Sequence, residues 1–545
     1  MRGLMMDLPL LVSGCIQYAG DYHPELEVVA REIDGSIFRY DYRQAHDRCK
    51  RLAQALGRLG IEPGERVGSL AWNSHRHFEM FYGVSGMGGV LHTINPRLYR
   101  EQLVYIANHC EDKWLFFDLE TLPLVVDLAP DLDTIEGYCL MADEADMPVD
   151  LELPNLKCFE RLLAAEDGDY QWPSFDENTA STICYTSGTT GNPKGVVYSH
   201  RSAVLCTLIG AGADFIGGYR HGMQETMMSL SPMFHGNAWQ FPYIAPMTGA
   251  KLVLPGRDYD PASLVELLRG EKVTISNGVP TFWLILLDHL GKTGEKLPDL
   301  RASLSSGSAP PRWMVKTLIE DYGVELINTW GMTEALCGSK GSLKPGDGDL
   351  PSEARLDKLT KSGRGLYGTS QRVVGEDGQA LPWDGESSGE LRVKAPWVSS
   401  GYFKGEGGSP LDEEGYLHTG DVAVIDPEGY ITLRDRTKDV IKSGGEWISS
   451  IEIENLAVGH PEVAQAAVIA VEHPKWQERP LLICVRQQGS SVTKEEMIAY
   501  LEDKIAKWWL PDDVQFVDEI PLTGTGKVYK LKLRQQFKDY RLPAA

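Results

Sequence analysis

The sequence predicts an α/β protein in two parts: a large N-terminal domain with several subdomains, doubly wound sheets and a small β module, then a small α+β C-terminal domain. Three observations lead there. Strand-like apolar runs alternate with helical periodicities through the first three-fifths of the chain, the pattern of helices wound on parallel sheets. Beyond about Thr369 the pattern changes to closely spaced strands with turn signals. The chain after Arg436 regains a strand and helix pattern of its own, which sets the expected domains at 1–436 and 437–545. With 545 residues, one undivided core is not expected.

Near the start, an apolar run at 8–12 precedes Ser13-Gly14-Cys15 and faintly resembles a lipoprotein processing site. The run is short and Asp7 and Pro9 interrupt it, so it reads as folded chain. Ala45, Cys49, Leu52, Leu56 and Leu59 then follow helical spacing, closed by Gly60. Strands are expected at 67–72, 89–94 and 113–119, with helical stretches at 78–84 and 98–110 between them. The alternation resumes with strands at 251–254, 273–276, 302–306 and 324–328 and a helix over 311–322. The β module follows at 371–374, an Asp377-Gly378 turn, 389–394, 422–425 and 430–434. In the last part, Thr493 and Glu496 form a capping box for a helix flanked by strands at 467–471 and 481–485.

The chemistry centres on YTSGTTGNPKGVV, residues 185–197. Gly188, Gly191 and Gly195 permit positive φ and close backbone approach, while Thr186, Ser187, Thr189, Thr190 and Lys194 can donate to phosphate oxygens. An apolar strand at 180–184 precedes it, and Ser199 can cap a helix through Ala203, Val204 and Leu208, so the expected context is strand, glycine loop, helix. A P-loop requires Gly-Lys-Ser/Thr, whereas Lys194 lies between Pro193 and Gly195. A plain surface turn would need neither the lysine nor so many hydroxyls.

Composition limits the partners. Lys and Arg total 53 against 77 Asp and Glu, a net charge of -24, which repels nucleic acid and anionic membranes at long range. The nine cysteines are scattered without a Cys-x-x-Cys pair and suggest neither a zinc site nor a disulfide framework; a reducing cytoplasm fits them best. No apolar run reaches the ~20 residues of a spanning helix.

Five further motifs occur in order: Pro232-Met233-Phe234-His235, Asn328-Thr329-Trp330-Gly331-Met332-Thr333-Glu334, Tyr416-Leu417-His418-Thr419-Gly420-Asp421, Asp435-Arg436-Thr437-Lys438-Asp439 and Leu522-Thr523-Gly524-Thr525-Gly526-Lys527. With the glycine loop they resemble the adenylate-forming acyl-CoA synthetase superfamily over nearly the whole chain. The resemblance implies a two-step, Mg2+-dependent reaction. A carboxylic acid and ATP give an acyl-adenylate and pyrophosphate, then coenzyme A displaces AMP.

It also implies roles for particular residues. The glycine loop, with Thr186, Ser187, Gly188, Thr189, Thr190 and Lys194, would hold the phosphates, and Glu334 with Thr186 the magnesium ion. Ser308, Ala309 and Pro310 with Asn328, Thr329 and Trp330 resemble walls of an adenine pocket, continued by Gly331, Met332 and Thr333. Asp421 resembles the acceptor of the ribose hydroxyls and Arg436 its partner. His235 and Gly331 would line the acyl site beside the carboxylate, and Trp239 resembles the tryptophan gate of fatty-acid members or is plain core. Lys527 would be the catalytic lysine, Lys438 the hinge that makes the C-terminal domain a mobile lid, and Ser443, Gly444, Gly445, Glu446 and Trp447 the pantetheine tunnel. A homodimer is the family default. These residues lead to a fatty-acid ligase as the expectation, with a ligase for a small acid such as methylthiopropionate or an aryl acid, or a nucleotide-binding scaffold without turnover, as alternatives.

Overall fold

The structure is a computed structural model, and it describes all residues except 2, 150, 152, 187–191, 213–223, 444–445, 524–526 and 543–545. Two seven-stranded sheets dominate the N-terminal part. In the first, Glu325–Asn328, Ala302–Ser305, Ile275–Gly278, Thr226–Ser229, Lys251–Leu254 and Glu27–Arg31 run parallel, and Ile37–Asp41 closes the edge antiparallel. In the second, Lys157–Cys158, Gly137–Leu140, Asp112–Phe117, Arg66–Leu70, Val90–Thr93 and Ala180–Tyr185 are parallel, with Gly195–Ser199 antiparallel at the edge.

Helices Ser13–Tyr22, Tyr42–Arg58, His75–Gly86 and Phe241–Thr248 share one apolar core with residues of both sheets, Val28 and Ala30 from the first and Leu91 and Phe116 from the second. This middle layer explains why every residue of His75–Gly86 is buried. Strand alternation sends Val29 to a second core under Leu264, Trp283 and Met314, while Leu115 and Phe117 face a third with Leu103 and Ile106. The helix Tyr42–Arg58 begins where it does because Asp41 accepts from Gln44 N at 2.8 Å and Gln44 reciprocates. It buries Ala45, Cys49, Leu52 and Leu56, the face its sequence spacing defines.

The β module is an antiparallel meander of Ser370–Val374, Gly389–Lys394, Leu417–Ile425 and Ile431–Arg436. After it, Glu446–Ile448, Ile441–Ser443, Gln477–Arg486 and Val463–His473 form a further sheet, with Asp513–Phe516 parallel to Gln477–Arg486. Thr493 caps Lys494–Glu502 with the expected box.

The expected strand, loop, helix context is corrected. The chain leaves the glycine loop as a second strand, Gly195–Ser199, which pairs antiparallel with Ala180–Tyr185 before the helix His200–Ala211 starts. The valines after Lys194 are buried or half-buried sheet residues, and Ser199 still caps the helix by accepting from Ser202 N at 3.0 Å. The hairpin Glu27–Asp41 was also not expected. It completes a sheet whose neighbouring strand, Lys251–Leu254, lies over two hundred residues later, a pairing that local periodicity does not encode.

Candidate functional site

The glycine loop is a hairpin connection, drawn closed at its base. Thr186 N donates to Lys194 O at 2.9 Å and Lys194 N to Thr186 Oγ1 at 3.1 Å. Ser187, Gly188, Thr189 and Thr190 lie outside the described residues. A polar brace stands behind the loop. Tyr185 Oη lies 2.7 Å from His109 Nδ1, and its ring is 4.9 Å from that of His92, whose Nδ1 is 2.7 Å from Asp112 Oδ2. His92, Cys110 and Asp112 are buried with their ligand-type atoms within 4.8 Å of one another. Because His92 and Asp112 already pair directly, we read this group as support for Tyr185.

Beside the loop, Glu334 is buried and accepts from Tyr402 Oη at 2.8 Å. Ser399 N donates to Glu334 O at 2.7 Å and Tyr198 Oη to Thr333 O at 2.7 Å, so the motif is pinned from two sides. Lys194 Nζ sits 4.7 Å over the Tyr402 ring. Among the described residues, neither Lys194 nor Glu334 makes an ion pair. Burial and its bond to Glu334 push the Tyr402 phenol up from its ordinary range.

The adjacent parallel strands Ala302–Ser305 and Glu325–Asn328 deliver the next groups at their carboxyl ends, where ligands bind in open α/β sheets. Ser308 is exposed, Ala309 half-buried and Pro310 buried, and Asn328 and Thr329 are buried. Trp330 is 3% exposed and its Nε1 donates to Asp421 Oδ2 at 2.8 Å. A Cβ at Gly331 would collide with the Leu336 carbonyl, so a side chain cannot occupy that position without a shift. Asp421 receives Arg436 Nε on its other oxygen at 2.7 Å, across the register of the paired strands that carry both. The two motifs therefore meet.

Lys527 enters this group from the C-terminal part. Its own turn is closed by Lys527 N to Thr523 Oγ1 at 3.2 Å, while Gly524, Thr525 and Gly526 fall outside the described residues. The side chain runs over Gly307, where a Cβ would lie 2.8 Å from Lys527 Cε. Burial and the charge of Arg436, partly offset by Asp421, bring the ammonium down to about 8. His235 is drawn down to about 4 by burial and by Lys527, so it is neutral near pH 7.

After His235 the backbone makes a left-handed turn: Gly236, Asn237, Ala238, Trp239 and Gln240 all have φ between 49° and 69°. Left-handed backbone is costly for non-glycine residues, and bonds hold it here. Asn237 Nδ2 donates to Thr182 Oγ1 at 3.0 Å and Asn277 Nδ2 to Ala238 O at 3.2 Å. Trp239 is half-buried at the edge of the main core.

Lys438 is exposed in the turn between Ile431–Arg436 and Ile441–Ser443. Ser443 and Trp447 stand on the following strand pair, and Ser443 Oγ accepts from Arg479 Nη1 at 3.2 Å. Gly444 and Gly445 and the side chain of Glu446 are not described. Among the described residues, no hydrogen bond joins Ser443 or Trp447 to Glu334, Asp421 or Lys527. Sequence reasoning missed Tyr402, whose place after Ser400-Gly401 carries no distinctive signal.

A family model described as AMP-binding enzyme matches residues 17–403, and its companion, AMP-binding enzyme C-terminal domain, matches 452–527. A 3-methylmercaptopropionyl-CoA ligase of Ruegeria lacuscaerulensis is 46% identical over 99% of both chains. A medium-chain-fatty-acid–CoA ligase of Ectopseudomonas oleovorans is 43% identical over 99% of this chain and 98% of its own. A long-chain-fatty-acid–CoA ligase of Thermus thermophilus is 42% identical over 98% and 97%. The crystal structure of an anthranilate CoA ligase in complex with anthranoyl-AMP superposes with a TM-score of 0.85 over 98% of each chain at 23% identity, which supports the fold.

Proposed function

The chain belongs to the AMP-binding enzyme family, and from that premise we propose that it is an AMP-forming acyl-CoA ligase that acts on unbranched aliphatic acids of the fatty-acid type. The observation that carries the reading is the convergence of Lys527, Asp421 and Arg436 from separate motifs. In the first half-reaction a carboxylate oxygen of the acid attacks the α-phosphorus of ATP and pyrophosphate leaves. Both reactants are anionic, so a fixed ammonium in a site shielded from water is worth most where they meet. Lys527 takes that place, Asp421 accepts from the ribose, and Arg436 fixes the Asp421 carboxylate. Neutral His235 borders the acid without adding charge.

In the second half the coenzyme A sulfur attacks the acyl carbon, the bond to the phosphate oxygen breaks, and AMP departs. Lys527 has no task there, so the part beyond residue 436 turns about Lys438 to admit the thiol, along the chain at Ser443 to Trp447.

The residues fit a magnesium ion. Glu334 is a buried hard oxygen donor whose described side-chain partner is a neutral hydroxyl, and among the described residues it makes no ion pair. Glu334 and Thr186 would hold it. Bound there, the ion would neutralise phosphate charge as pyrophosphate leaves.

One observation favours a second reading for the acid: two 3-methylmercaptopropionyl-CoA ligases are 46% and 45% identical to this chain, slightly above the fatty-acid ligases. The test is kcat/KM for thioester formation with acids from acetate to palmitate, 3-(methylthio)propionate and benzoate. A maximum among the unbranched acids supports the first reading, a maximum at 3-(methylthio)propionate the second, and preference for benzoate overturns both.

A further inference from the structure

Lys194 and Glu334 bear opposite charges in one cleft, yet among the described residues they are not paired with each other or with any other charge. Opposite charges that approach in a site of reduced dielectric attract strongly, so something must keep them apart. Tyr402 occupies the gap. Its hydroxyl donates to Glu334 Oε1 at 2.8 Å, and its ring face carries Lys194 Nζ at 4.7 Å. The same segment lies against both neighbours. Ser399 N holds the Glu334 carbonyl, and Gly407 lies so close to Lys194 Nζ that a Cβ there would clash with it. Tyr402 is itself packed against Cys184, Val196 and Tyr198 of the glycine-loop hairpin.

We propose that Tyr402 is a positioning residue that separates Lys194 from Glu334 and presents each to the nucleotide. The inference deepens the function proposed above and rests on it. The hydroxyl uses one lone pair of the Glu334 carboxylate and leaves the others free for a divalent cation. The ring gives the ammonium a weak, non-neutralising perch from which phosphate oxygens can recruit it. Without the ring, Lys194 closes onto Glu334, and both the phosphate donor and the metal ligand are spent on each other. The two halves of the side chain therefore have separable roles.

The experiment uses the full chain and two variants. Tyr402→Phe keeps the ring and loses the donor; Tyr402→Leu loses both. Binding of Mn2+ in the presence of ATP is read by electron paramagnetic resonance, metal-free ATP binding by calorimetry, and melting temperature alongside. For Tyr402→Phe, Mn2+ affinity should fall roughly tenfold, the loss of one hydrogen bond to a charged group. Metal-free ATP affinity should stay within about twofold, because the perch for Lys194 is intact. For Tyr402→Leu, both affinities should fall, and Lys194→Met in that background should restore part of the Mn2+ affinity by freeing Glu334.

A Tyr402→Phe protein that binds Mn2+ with ATP as the parent does overturns the proposal. So does a Tyr402→Leu protein whose metal-free ATP affinity equals that of Tyr402→Phe. Equal losses in every ligand, including coenzyme A, with a lowered melting temperature, assign Tyr402 to packing alone and also overturn it. Should the parent protein itself fail to bind Mn2+ in an ATP-dependent manner, it is the functional reading that falls, a result distinct from any outcome of the variants.

Discussion

At the scale of the residue, Lys527 carries the most testable chemistry. Its ammonium is held near 8 because burial and Arg436 disfavour the charge. The first half-reaction needs the protonated form, so kcat/KM for adenylation should fall as pH rises through about 8. Bound ATP is a polyanion and favours the charged form, so the corresponding fall in kcat should lie at higher pH. Thioester formation from supplied acyl-adenylate should lack this limb; its presence there would count against a single-step role. Lys527→Ala should lower adenylation on the order of 100-fold or more, as loss of a fixed electrostatic group does, and leave the second half near the parent rate. Trp239 is half-buried beside the main core. Trp239→Ala should change the ranking of acids by chain length and cost less than the ~3–5 kcal/mol of a fully buried tryptophan. An unchanged ranking with a full-sized loss would return Trp239 to the core.

At the scale of the element, the left-handed turn from Gly236 to Gln240 is where the fold works against local preference. Each left-handed non-glycine residue costs ~1–2 kcal/mol, and strain of this kind persists where the surroundings over-determine it. Asn237 supplies two remedies: its side chain bonds Thr182, and asparagine tolerates this backbone better than most residues. Asn237→Ala removes both and should cost ~1–3 kcal/mol in chemical denaturation. Asn237→Gly restores the backbone freedom without the bond and should recover part of the loss. If glycine proves no better than alanine, the turn is not strained in the way described.

The glycine-loop hairpin makes the complementary point. Its residue types suggest a phosphate cradle, but they give no sign of the strand after it. Residues 195–199 become sheet only because Ala180–Tyr185 offers an edge, and the period of so short a run does not distinguish a strand from the approach to a helix.

At the scale of the whole molecule, the proposed mechanism has the C-terminal part hold two positions. The position seen here is the one that brings Lys527 to Asp421 and Arg436. It is fastened at the junction. Asp435 Oδ2 accepts from Ser450 N at 2.7 Å and Ser450 Oγ at 2.5 Å, and Lys530 Nζ reaches Ser450 Oγ at 2.5 Å and Glu454 at 2.8 Å. Burial alone would lower the Lys530 ammonium, but Glu454 and Asp435 more than reverse it, while burial raises both carboxylates. Lys438→Pro fixes φ near -65° in the turn between the two parts. It should preserve single-turnover pyrophosphate release and collapse thioester formation. Equal loss of both steps, with the fold intact by circular dichroism, would remove Lys438 as the hinge.

The sequence by itself determined the α/β class, the change to a β module near Thr369, most strand and helix positions, and the residue types of the cleft. These follow from period, capping and turn chemistry, all of which act over a few residues, as at Thr493 and Glu496 or along Ala45 to Leu59. Only the tertiary structure decided that Glu27–Asp41 completes a sheet beside Lys251–Leu254, that Trp330 bonds Asp421, and that Tyr402 lies between Lys194 and Glu334. The physical reason is that a charge or a sheet edge is satisfied by whatever the folded chain brings within a few ångströms of it. That choice is made by packing between distant segments, and no short window of sequence contains both partners.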